Sequence, residues 1–181
     1  MTVDTISARS LVVRWRLHCS MRTGLVTGFV LDFCRLDQET GSCLAGSTDS
    51  MEVGAGVNSL EIGELTPFSL YQFTISVQNG LSPLPGHTPH KVTGPPSHPV
   101  TSKTLPAPPG SPPVRLAVSQ VTSRQARVSW HQPAQPNGKI CKYMVEVRNL
   151  DKNQWLAVKT VEPNKMEESM VVWSNLTSYT R

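Results

Sequence analysis

With 38% hydrophobic and 17% charged residues, a chain of 181 residues can bury cores and is no disordered polymer, and its length suits two domains better than one. Fifteen prolines and 12 glycines exclude a mainly helical protein, because proline removes a backbone donor and glycine weakens helix interiors. The net charge of +4 is too small to point to nucleic acid, and no run approaches the ~18 apolar residues that cross a bilayer, so no direct membrane contact is expected.

The opening Met1-Thr2-Val3-Asp4 lacks the charged and apolar regions of a signal peptide. Leu11 to Leu17 then alternates, with Leu11, Val13, Trp15 and Leu17 on one face and both arginines on the other, the pattern of a half-buried strand. Val26 to Leu36 is a second apolar stretch, followed by the hairpin loop Asp37 to Gly41, and a third strand is predicted near Val57 to Ile62. After Glu64-Leu65-Thr66-Pro67, the segment Tyr71 to Gln78 has apolar odd and polar even positions, and Asn79-Gly80 reads as the turn that ends it. Leu81 to His98 is expected to be a long proline-rich loop, Val100 to Thr104 a closing strand, and Pro106 to Pro112 a stiff linker.

Beyond the linker the pattern begins again. Leu116 and Val118, then Ala126, Val128 and Trp130, then Tyr143, Val145 and Val147 form three further alternating sets. Trp15 corresponds to Trp130, and Gly24, Val26, Phe29, Leu31 and Phe33 correspond without a gap to Gly138, Ile140, Tyr143, Val145 and Val147. Leu65 corresponds to Leu176, so the chain holds two copies of one all-β unit, 1–108 and 109–181. Charge divides unevenly between them. The first copy has 7 Lys+Arg against 8 Asp+Glu, a balance of −1, and the second has 10 against 5, a balance of +5.

Both copies resemble the fibronectin type III module. The resemblance lies in Pro-Pro-Val-Arg-Leu-Ala-Val (112–118), Arg-Val-Ser-Trp (127–130) and Asn-Gly-Lys-Ile-Cys-Lys-Tyr-Met-Val-Glu-Val-Arg (137–148), and in the corner Leu65-Thr66-Pro67-Phe68-Ser69-Leu70-Tyr71. It implies two tandem immunoglobulin-like β-sandwiches with Trp15, Leu65, Tyr71, Trp130, Tyr143 and Leu176 as structural core rather than active site. Against the family pattern the first copy begins midway through its first strand. The tyrosine expected six residues beyond Leu176 is not reached, so the second copy is expected to lack its last two strands and to leave Trp130 partly uncovered.

No phosphate-binding loop, zinc-protease helix or nucleophile elbow is present, and no cofactor is expected, so the reading is not an enzyme. His87, His90 and His98 have no cysteine or carboxylate cluster beside them for a metal. Cys34 follows the inward Phe33 and so points to the outer face, and symmetric pairing across the Asp37 to Gly41 turn sets it opposite Cys43, a candidate disulfide. Cys19 and Cys141 share the phase of inward residues and are expected to be small buried hydrophobes. Asn175-Leu176-Thr177 is a candidate N-glycosylation acceptor, with Trp173 and Leu176 inward. The resemblance implies extracellular modules that bind other proteins or space binding surfaces in a receptor, adhesion or matrix protein, with acidic glycans as candidate ligands of the basic second copy. The alternatives are titin-type scaffold modules in the cytoplasm, where reduced thiols would fit, and accessory modules of an extracellular enzyme.

Overall fold

The computed structural model describes residues 1–17, 25–80, 91–149, 153–164, 168–174 and 176. The chain divides into two compact units, Met1–Ala107 and Pro108–Arg181. Each is built of two facing antiparallel sheets.

In the first unit, β1 (Thr2–Thr5), β2 (Leu11–Arg14) and β5 (Ser59–Ile62) form one sheet in the order β1-β2-β5. The facing sheet runs β4 (Asp49–Gly54), β3 (Val26–Arg35), β6 (Leu70–Gly80), and the far edge of β6 is shared by β7 (Lys91–Thr93) and β8 (Val100–Lys103). The alternation of β2 sends Leu11 and Val13 inward, where they are fully buried with Ile62 from β5. They meet Phe29, Leu31 and Phe33 from β3 and Tyr71 and Phe73 from β6. Each such side chain contributes about 1.5–3 kcal/mol when fully withdrawn from water, which is what holds the two sheets face to face. Trp15 lies edge-on to Phe29 at 5.7 Å between ring centroids.

The connection from β5 to β6 is pinned by side chains. Tyr71 buries its ring while its hydroxyl oxygen accepts the N–H of Thr66 at 2.9 Å. Thr104, 2% exposed, donates its hydroxyl to the Thr66 carbonyl at 2.8 Å and accepts the Ser69 N–H at 3.0 Å. Along one side of the sandwich β1 is tied to β8: the Thr5 hydroxyl donates to the Lys103 carbonyl at 3.0 Å, and the Leu105 N–H to the Ser7 carbonyl at 3.1 Å.

In the second unit, β9 (Val114–Ser119), β10 (Ala126–His131) and β13 (Glu168–Trp173) repeat the order of β1, β2 and β5. β11 (Tyr143–Asn149) pairs with β12 (Gln154–Val161) as β3 does with β4. Trp130 meets Tyr143 edge-on at 5.4 Å, the counterpart of the Trp15–Phe29 pair.

Several expectations are corrected. Asn79-Gly80 is not a turn but the last two residues of β6, because β7, inside the expected loop, supplies hydrogen-bond partners to Gln78, Asn79 and Gly80. The second strand stops at Arg14, and Leu17 is 37% exposed. Trp130 is not uncovered but 3% exposed, shielded by the sheet carrying Tyr143. β9 alternates in sequence yet is exposed along its whole length, with Leu116 at 70% and Val118 at 60%. Cys141 is not buried: it is a free, exposed thiol, since it precedes β11 and strand alternation does not govern it. Cys19, His87, His90 and Asn175 lie outside the described residues.

Candidate binding site

Asp37 organises the hairpin beyond β3. Its carboxylate accepts the backbone N–H of Thr40 at 2.8 Å and of Glu39 at 2.9 Å, and the Thr40 hydroxyl at 3.1 Å. The Thr40 bond, then those from Glu39 and the Thr40 hydroxyl, hold its pKa below the usual carboxylate value, since each stabilises the charged form. Gly41 takes the left-handed φ of +69° that the turn needs, where a side chain would be strained. The turn brings Leu36, not Cys34, opposite Cys43. Cys34 and Cys43 are joined as a disulfide across this diagonal, with Cα atoms 5.7 Å apart. Cys34 lies beside Asp32, Gln72 and Thr74 on the outer face of its strand, yet it is only 3% exposed.

Next to this hairpin the seam between β4 and β5 is open. A pocket of about 590 Å³ lies there, with Phe33, Ile62, Leu65 and Tyr71 as an apolar floor and Met51 on the β4 wall. Asp49 and Glu64 stand in its lining, and no cation among the described residues is within ion-pair distance of either. Arg35 lines it too, with Nη1 donated to the Thr66 hydroxyl at 3.2 Å and a buried Nε that has no acceptor among the described residues. Leu65 and Tyr71, read from sequence as core, are thus core and pocket floor at once.

The same seam in the second unit is bridged by a side chain. Register shows the equivalence: Ile62 pairs with Leu11 as Trp173 pairs with Ala126, and Met51 pairs with Leu31 as Lys159 pairs with Val145. Trp173 is 4% exposed, the Lys159 ammonium lies 4.6 Å from its ring centroid, and Nζ donates to the Val172 carbonyl at 2.8 Å. Tyr143, half-buried beneath Trp130, has its pKa raised by burial. Leu176, half-buried, donates its N–H to the Arg124 carbonyl at 3.0 Å. Met51, Asp49 and Lys159 escaped the sequence reading because β4 and β12 carry polar residues where alternation would want apolar ones. The one available signal was the placement of Met51 and Lys159 one strand beyond the aligned Leu31 and Val145.

Among the described residues no group of three or more His, Cys, Asp or Glu is placed to hold a metal ion, and no helix is long and apolar enough to cross a membrane. The arrangement is one of surfaces and seams on a two-sheet scaffold, the architecture of immunoglobulin-like binding modules.

The sequence comparisons match one family in the second unit. Residues 111–181 match the Fibronectin type III domain. A protein sidekick homolog of Caenorhabditis briggsae is 28% identical over 181 aligned positions, covering 97% of this chain and 7% of its own length. Receptor-type tyrosine-protein phosphatase F of Danio rerio is 31% identical over 99 residues, 54% of this chain and 5% of its own length. Human usherin is 32% identical over 105 residues, 58% of this chain and 2% of its own length. The second unit matches this domain, and the chain is related to fibronectin type III-type regions of these proteins. It spans a small fraction of the relatives' length.

Proposed function

We propose that the chain is a pair of extracellular, non-catalytic modules of a cell-surface receptor, adhesion or matrix protein, and that the modules present surfaces to other proteins and set the spacing between them. The supporting observation is the likeness to sidekick homologs along 97% of the chain, so both units, not one, resemble consecutive modules of such a protein. The family is non-catalytic. The Cys34–Cys43 bridge suits an oxidising compartment, which favours this reading over cytoplasmic titin-type scaffold modules. The excess of basic residues in 109–181 makes sulfated glycans candidate ligands of the second module, and Asn175-Leu176-Thr177 its candidate glycosylation site.

Surface labelling of cells expressing the full-length gene product tests this. A surface or secreted pool, with Cys34 and Cys43 recovered as a linked peptide pair under non-reducing conditions, is the expected result. Recovery only inside the cell, with both thiols alkylatable, would overturn it.

A further inference from the structure

The two copies of the module treat one seam in opposite ways. In the second, between β12 and β13, a cationic side chain lies across an aromatic ring and bridges the two strands: Lys159 over Trp173, with Nζ donated to the Val172 carbonyl. In the first, the structurally equivalent residues are Met51 and Ile62, and the space between β4 and β5 is left as a pocket of about 590 Å³. Its floor is apolar and aromatic, through Ile62, Leu65 and Tyr71, while Asp49 and Glu64 have no ion-pair partner among the described residues. Asp49 shares the inward phase of its partner Phe33, so its carboxylate is carried on the pocket side of β4. The wall therefore has what the second module's plug would need: an apolar bed for a flexible stem, and negative charge at its mouth.

We infer that the β4–β5 seam of the first module is a docking pocket for a lysine or arginine side chain presented by a partner protein. The stem lies on Met51, 38% exposed on the pocket wall, as long basic side chains do when apolar surface is available. The cation is met by Asp49 and Glu64 in the pocket lining. The Arg35 charge is held back by its bond to Thr66, so two carboxylates face one guanidinium and the pocket keeps a negative balance. This inference rests on the protein-binding reading above and gives its partner a chemistry.

The test is a nuclear magnetic resonance titration of the whole 181-residue chain with acetyl-Val-Arg-Val-amide and, separately, its glutamate counterpart. Shifts are expected at Met51, Ile62 and Glu64 with the arginine peptide, and weaker or none with the glutamate peptide. Asp49→Asn with Glu64→Gln should weaken binding about fivefold, the size expected of two partly exposed charges. Met51→Lys installs the second module's own plug and should abolish the shifts while leaving the thermal melt in place. Shifts that persist in Met51→Lys, tighter binding of the glutamate peptide, or no shift at the seam would each overturn the docking pocket. None of these results bears on whether the protein reaches the cell surface, which the labelling experiment decides separately.

Discussion

The hydroxyl of Tyr71 does work that its ring does not. The ring fills the core, but the oxygen satisfies the Thr66 N–H where the chain turns from β5 to β6, a donor that is otherwise partly buried without a partner. Tyr71→Phe keeps the packing and removes the acceptor, so a loss of about 1–2 kcal/mol in urea unfolding is expected; an unchanged midpoint would show the corner to be held by Thr104 alone. Tyr143 makes a different point. Burial favours its neutral form, so the folded protein keeps the proton to higher pH than the unfolded chain does. Above the unfolded value of about 10 the unfolded state binds fewer protons, and stability falls as pH rises. Replacing Tyr143 by Phe should flatten that alkaline loss, which chemical denaturation on either side of the transition can read.

At the scale of elements, the β3–β4 hairpin carries two separable constraints. The disulfide closes a loop with its cysteines nine residues apart, so reduction, or Cys34→Ser with Cys43→Ser, should cost about 2–3 kcal/mol by freeing the unfolded chain. Gly28, lower in the same pair of strands, sits where a β-carbon would collide with the Val53 carbonyl oxygen. Because that neighbour is backbone, Gly28→Ala must push β3 and β4 apart, and a loss of about 1–3 kcal/mol is expected in the same assay. The hairpin also shows what the residues reveal and what they hide. Leu11, Val13, Phe29, Leu31, Tyr71 and Phe73 announce their strands because one buried face forces period-two alternation. β4 is silent, since its outward positions and its seam positions are both exposed and alternation has nothing to mark. β7 is silent as well, being three exposed residues that pair with the end of β6. The diagonal of the disulfide was hidden for a related reason: one extra pair of residues in a turn decides which side chains face each other, and turn geometry is settled by local bonds such as those of Asp37 rather than by hydrophobic pattern. The open seam was beyond the reach of sequence, because it depends on Met51 and Ile62 standing where the other copy has Lys159 and Trp173.

Across the whole molecule, the two units share a plan and differ in how it is finished. The first buries Leu11, Val13, Leu31 and Phe73 completely, while the second exposes Leu116, Val118 and Met144 and rests on Trp130, Trp173 and Tyr143. Their charge balances of −1 and +5 also differ in sign, so salt should weaken any glycan binding at the second without touching apolar contacts at the first. The tie between β1 and β8 has a mechanical meaning. Thr5 bonds to Lys103 and Ser7 to Leu105, so the two segments run side by side in the same direction, one near the module's entry and one near its exit. Tension applied through the chain ends pulls these segments past one another and loads their bonds together, in shear, instead of peeling them one at a time. Stretching single molecules should therefore show the first module resisting as a unit, and Thr5→Val should lower its rupture force by removing the side-chain link to Lys103. A module stitched in this manner transmits pull between neighbours before it yields.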